Sequence, residues 1–196
     1  MFRVVVGICA AALVLAGCSS DVGDTVERSE SSEQPSSVLQ KLTENKMCDL
    51  LDDDAIEKAL DTKVEGGKGM RRGKLPMFLT YECRYDTDGF PSISTDLTTT
   101  RASESDQEVL DNVFTDHSKE SEPVGEYRKV TGLGTLAGFG PQVLVSEAVN
   151  SWELGVVSSV DGDRLLLTIS VLGSAKLEQV KPLAEKLLAN LESTVR

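Results

Sequence analysis

The sequence predicts an α+β domain: a mostly antiparallel sheet of about five to six strands with helices packed on one face, behind a disordered N-terminal tether. Three observations lead there. Apolar residues recur at helical spacing in three separated segments, and period-two alternation fills the stretches between them. Turn sequences join neighbouring strand candidates directly, which two antiparallel strands allow and two parallel strands do not.

Residues 1–17 read as a leader. Val4 to Ala16 is apolar or small throughout, shorter than the about twenty residues that a helix needs to cross a hydrocarbon core of ~30 Å. Arg3 precedes the run and small residues end it, as in a secretory signal peptide. Leu15-Ala16-Gly17-Cys18 resembles the bacterial lipobox, in which a diacylglycerol is placed on the cysteine sulfur and the chain is cut before that cysteine. Cys18 is therefore the expected lipidation site, and the membrane the expected attachment through its lipid.

Residues 18–45 read as a lipidated flexible tether. Seven serines fall within residues 19–37 among scattered acids, with no aromatic residue. Such a stretch buries too little apolar surface to offset its ordering entropy. Val38, Leu39 and Leu42 have the spacing of a short helical turn near its end.

A single extracytoplasmic domain is expected over 46–196. In "MCDLLDDDAIEKALDT", Leu51, Ala55, Ile56, Ala59 and Leu60 repeat with helical period. Asp52 is placed as N-cap, with Asp53 and Asp54 in a first turn favoured by the helix dipole. "PMFLTYECRYDTDG" alternates and ends in a turn, so it reads as a strand carrying Cys83, turning into "FPSISTDLTTTR". Ser103-x-x-Asp106 then opens a second helix with Val109, Leu110, Val113 and Phe114 on one face. A short strand is expected near Glu126 to Val130, followed by strands in "QVLVSEAVN", "SWELGVVSSV" and "RLLLTISV", the last two joined at Asp161-Gly162-Asp163. The chain closes with a helix striped by Leu177, Val180, Ala184, Leu187, Leu188 and Leu191, where Pro182 either occupies the first turn or kinks the helix.

Four cysteines constrain the chemistry. Cys9 lies in the leader and Cys18 would carry lipid, which leaves Cys48 and Cys83 as one pair. Outside the cytoplasm two unmodified thiols favour a disulfide. Two cysteines and one histidine are too few for a structural zinc site, and no Cys-x-x-Cys redox motif is present. A net charge of −12 and a pI near 4.6 argue against nucleic acid as a partner.

Other chemical motifs reduce to structure. His117, the only histidine, sits at the end of the second helix with no adjacent catalytic partner. Asp86-Thr87-Asp88-Gly89 resembles the start of a calcium loop, but Pro91 and Leu97 stand where glycine and glutamate are required, so it reads as a hairpin turn. Gly132, Gly134, Gly138 and Gly140 lack the following helix of a phosphate-binding loop and read as a flexible loop. No serine-hydrolase signature is present, and no cofactor-binding or metal-binding pattern is assigned.

Cys48-Asp49-Leu50-Leu51, the later Cys83-x-Tyr85, Gly132-Leu133-Gly134, a strand with Trp152 and the Leu/Ala-rich last helix together resemble the domain of unknown function found in many actinobacterial lipoproteins. The resemblance extends distantly to the extracellular sensor domain of bacterial serine/threonine kinases. It covers residues 1–18 and roughly 47–193, and departs from the family pattern at Thr135-Leu136, where an acidic residue and alanine are usual. It implies a Cys48–Cys83 disulfide and supplies no catalytic residue. The expected function is that of a lipid-anchored, non-catalytic binding or interaction module at the cell envelope, its partner an envelope protein or a small molecule. A carrier of an apolar ligand in a cleft between sheet and helices is the alternative, with an envelope enzyme third.

Overall fold

The computed structural model describes residues 37–73, 79–116, 122–123, 126–143 and 150–196. The leader and Cys18 lie outside the described residues. Helices α1 (Ser37–Lys41), α2 (Glu44–Asp49) and α3 (Asp53–Leu60) precede strands β1 (Val64–Arg72), β2 (Thr80–Thr87) and β3 (Ser92–Thr99). Helix α4 (Asp106–Val113) follows, then the two-residue strands β4 (Thr115–Asp116) and β5 (Glu122–Pro123). Strands β6 (Arg128–Val130), β7 (Leu136–Val143), β8 (Asn150–Val160) and β9 (Asp163–Leu172) lead into α5 (Leu177–Val195).

Seven strands form one antiparallel sheet in the order β1-β2-β3-β9-β8-β7-β6. The class is α+β, as expected, with more strands than the five to six read from sequence. The first three strands form one meander and the last four another. They meet where β3 pairs with β9, Thr95 opposite Ile169 and Leu97 opposite Leu167. The additional strand is β1, whose "VEGGKGMRR" lacks apolar alternation; the strand expected in "QVLVSEAVN" falls largely outside the described residues, and β7 instead starts earlier, at Leu136. Partner geometry rather than propensity makes it a strand, because Gly69 lies where a Cβ would come within 2.0 Å of the Glu44 carbonyl oxygen. Glycine alone lets β1 pass that close to α2.

The pleat sends Tyr81, Cys83, Tyr85, Ile93, Leu97, Leu154, Val156, Leu167, Ile169 and Val171 to one face, all buried. Against them pack Met47, Leu50, Leu51, Ile56 and Leu60 of the α2–α3 region and Val180, Leu183, Ala184, Leu187 and Leu191 of α5. Pro182 lies inside α5, past its first turn. Asp161 and Gly162 both take positive φ in the β8–β9 turn, the backbone that a two-residue hairpin requires.

Four sequence expectations are corrected. Helices occupy both faces of the sheet rather than one: α4 crosses the face opposite α5, with Leu110 over Gly138 and Gly155. Gly138 and Gly140 belong to β7 rather than to a flexible loop, and their missing side chains make room there for Leu110, Phe114 and Tyr127. The cap of α4 is Ser105, in a reciprocal capping box with Glu108, because the glutamate is placed to reach back to the cap's backbone N–H. Residues 37–42, assigned to the tether, are packed structure: Val38, Leu39 and Leu42 are buried. The Val38 N–H donates to Asp163 Oδ2 at 2.7 Å, and Tyr81 Oη donates to the Leu42 carbonyl at 3.0 Å.

Candidate functional site

The face of the sheet away from α5 is polar by register. Glu82 lies opposite Asp96, and Asp96 opposite Thr168. The adjacent row runs Arg84, Ser94, Ser170, Glu153 across β2, β3, β9 and β8. Glu82, Arg84, Ser94, Ser170 and Glu153 line a cleft of about 520 Å³, with Asp96 on the same face of the sheet between Glu82 and Thr168. Its floor is sheet backbone held on both sides by pairing, which fixes the positions of the groups it carries. Ser151 donates to the Gln142 carbonyl at 3.1 Å, and Gln142 donates from its side-chain amide to the Val113 carbonyl, tying β7 to the end of α4 beside the cleft.

The three carboxylates are held in different states. Glu82 is 3% exposed and pairs with the guanidinium groups of Arg72 and Arg84. Burial pushes Asp96 up to about 6, reinforced by the Glu82 charge and opposed by Arg72 and Arg84. Burial pushes Glu153 up to about 7, with the Asp96 charge acting in the same sense. Hydrogen bonds from Ser170 and Gln142 oppose that rise. Near neutral pH Glu153 therefore carries an exchangeable proton in a cleft lined also by Ser94, Ser151 and Ser170, which can accept hydrogen bonds from a donor-rich ligand or give a proton to one.

A second depression, of about 760 Å³, lies between α3 and α5. Ala55, Ala59, Pro182 and Leu183 contribute apolar surface, and Lys186 of α5 pairs with Asp52, the residue preceding α3. That partner, together with the Ala55 N–H, holds the Asp52 carboxyl below the usual range.

Cys48 and Cys83 are joined in a disulfide, with Cα atoms 5.2 Å apart, linking α2 to β2. Cys18 and His117 fall outside the described residues. Asp52 caps α3, accepting from the Ala55 N–H at 2.8 Å. Asp86 and Thr87 end β2, and Thr87 Oγ1 donates to the Gly89 carbonyl at 3.0 Å in the turn that follows. Gly132 and Gly134 take positive φ in the loop before β7. The structure does not bring these motifs together. Among the described residues no group of three histidine, cysteine or acidic side chains is placed to hold a metal ion, and no helix is long and apolar enough to cross a membrane.

Glu82, Asp96 and Glu153 were not singled out from sequence. The signal for Glu82 was present: in "TYECRYDT" every second residue from Tyr81 is core-facing, which puts Thr80, Glu82, Arg84 and Asp86 on the other side. Alternation says which face a side chain takes, but not whether that face is open to water. No family model, characterised protein or solved structure matches the chain.

Proposed function

We propose that this chain is a lipid-anchored module on the extracytoplasmic face of the cell membrane, held by acyl chains on Cys18, and that it binds a ligand without transforming it. The attachment follows from the leader ending in Leu15-Ala16-Gly17-Cys18, and the Cys48–Cys83 disulfide suits an oxidising compartment. The observation that carries the binding role is the outer-face cleft, where side chains of β2, β3, β8 and β9 converge on one rigid floor. A desolvated acid such as Glu153, raised by burial and then by the Asp96 charge, costs stability in the free protein, and a donor-rich polar ligand would recover that cost. Such a ligand is an amine-bearing small molecule or a basic segment of an envelope protein.

Filled space disfavours an apolar carrier with its ligand between sheet and helices, since Leu154, Val156, Leu167, Ile169, Leu187 and Leu191 occupy that interface with no exposure. One observation favours an enzyme as the second reading: Glu153, at about 7 and next to Asp96, has the poise of a general acid.

Mass spectrometry of the protein purified from native envelope tests both parts. The expected result is a diacylglycerol-bearing Cys18 at the mature N-terminus and a polar ligand that is lost from Glu153→Gln. Cys18→Ala is expected to leave the membrane fraction after a salt wash. Retention of that variant in the membrane refutes the anchor, and turnover of a co-purified compound replaces the binding role with a catalytic one.

A further inference from the structure

The side of the sheet that faces α5 carries a separate cleft where β6, β7 and β8 meet the start of that helix, and its walls combine an aromatic platform with a charged rim. Arg128, Phe139 and Trp152 come from these three neighbouring strands. The Phe139 and Trp152 rings stack with centroids 5.3 Å apart and planes inclined by 19°. The Arg128 guanidinium carbon lies 5.5 Å from the Phe139 centroid. Phe139 is buried, whereas Trp152 is half-buried and lines the cleft. Contact with Phe139 restrains the indole before any ligand arrives, so little rotamer entropy remains to be lost on binding.

Around this platform the exposed side chains of Glu126, Arg128, Lys176 and Glu178 stand at the rim, two acids and two cations. The cleft measures about 630 Å³, within the range of small-molecule sites. We propose that it is a saccharide-binding site. A pyranose ring presents an apolar C–H face bordered by hydroxyl groups that both donate and accept. Such a ligand matches an aromatic surface set among acceptor carboxylates and donor cations. A lipid chain would leave the charged rim without partners, and a phosphate or carboxylate ligand would meet Glu126 and Glu178 as well as the cations. Equal numbers of each sign suit a neutral, hydroxyl-rich ligand. The site is distinct from the acid cleft on the opposite face and does not depend on what that cleft binds.

Trp152 is the only tryptophan in the chain, so indole fluorescence reports on this cleft alone. The test titrates the full chain, in a detergent without a sugar headgroup, with triacetylchitotriose and separately with maltotriose. At least one sugar is expected to shift the emission saturably, with a dissociation constant in the range of about 10 µM to 10 mM. By calorimetry, Trp152→Ala should weaken that binding about tenfold or more while Trp152→Phe keeps most of it. Lys176→Ala and Glu178→Ala alter exposed rim positions without touching the core, and each should weaken binding by about threefold to tenfold. No saturable shift with either sugar overturns the proposal. So does an affinity unchanged in Trp152→Ala, or, where that variant does not fold, in both rim variants.

Discussion

Replacing Glu153 by glutamine is expected to stabilise the protein, and more so as the pH rises. In the folded chain this carboxyl stands at about 7 against an ordinary value of 4.5, chiefly through burial and then through the Asp96 charge. A carboxyl raised on folding binds more protons in the native state than in the unfolded one. Its presence therefore costs nothing below about pH 4, an increasing amount as pH climbs toward 7, and the full amount above that. At about 1.4 kcal/mol per pH unit, the full cost is roughly 3 kcal/mol, of which only about 1 kcal/mol is felt at pH 5. Glutamine keeps the shape and can still hydrogen bond with Ser170 and Gln142, but it carries no charge. Thermal melts of the wild type and Glu153→Gln at pH 5 and pH 8 measure the difference. The gain in Tm is expected to grow from about 3 °C to roughly 6–10 °C across that interval, given about 2–4 °C per kcal/mol for a domain of this size. A gain of equal size at both pH values would mean that the charge of Glu153 is not what costs stability, and a loss at pH 8 would refute the desolvated-acid account of the cleft.

The disulfide and the start of the packed domain each make a further prediction. Reduction, or the Cys48→Ser, Cys83→Ser pair, should cost about 4 kcal/mol in the chain-entropy model and speed hydrogen exchange in α2 and α3 while the β8–β9 hairpin and α5 stay protected. Unchanged exchange in α2 would refute this. The Asn190 side chain, donating to the Leu50 carbonyl at 2.9 Å, and the buried Met47, Leu50 and Leu51 should keep the segment docked well enough for the domain to fold. A chain beginning near residue 45 loses Val38, Leu39 and Leu42 from the core. At about 1.5–3 kcal/mol for each buried side chain, it should unfold at clearly lower denaturant than one beginning at residue 33, and equal midpoints would show that α1 contributes nothing.

Much of the fold was legible because it depends on local periodicity. The stripe of α5, the Asp52 cap and the Asp161-Gly162 turn are all written within a few residues of one another, and the structure has each of them. The Cys48–Cys83 pair was readable for another reason, since a small number of cysteines left it as the only pairing once Cys9 and Cys18 were assigned. Strand β1 was not legible, because its glycines are required by the approach of α2 and carry no hydrophobic period of their own. The position of α4 was hidden likewise: its apolar face predicts burial, but Gly138, Gly140 and Gly155 on strands far along the chain decide which side of the sheet receives it. Sequence alone determined the α+β class, the alternation that turns Glu82 away from the core, and the disulfide. Only the tertiary structure decided that Glu82, Asp96 and Glu153 share one face of the sheet, with Glu82 and Glu153 lining one cleft, and that Trp152 lies against Phe139 beside the start of α5. Those groupings arise from pairing β3 with β9, segments distant in the chain, and from the register of the neighbouring strands β7 and β8, neither of which a local pattern encodes.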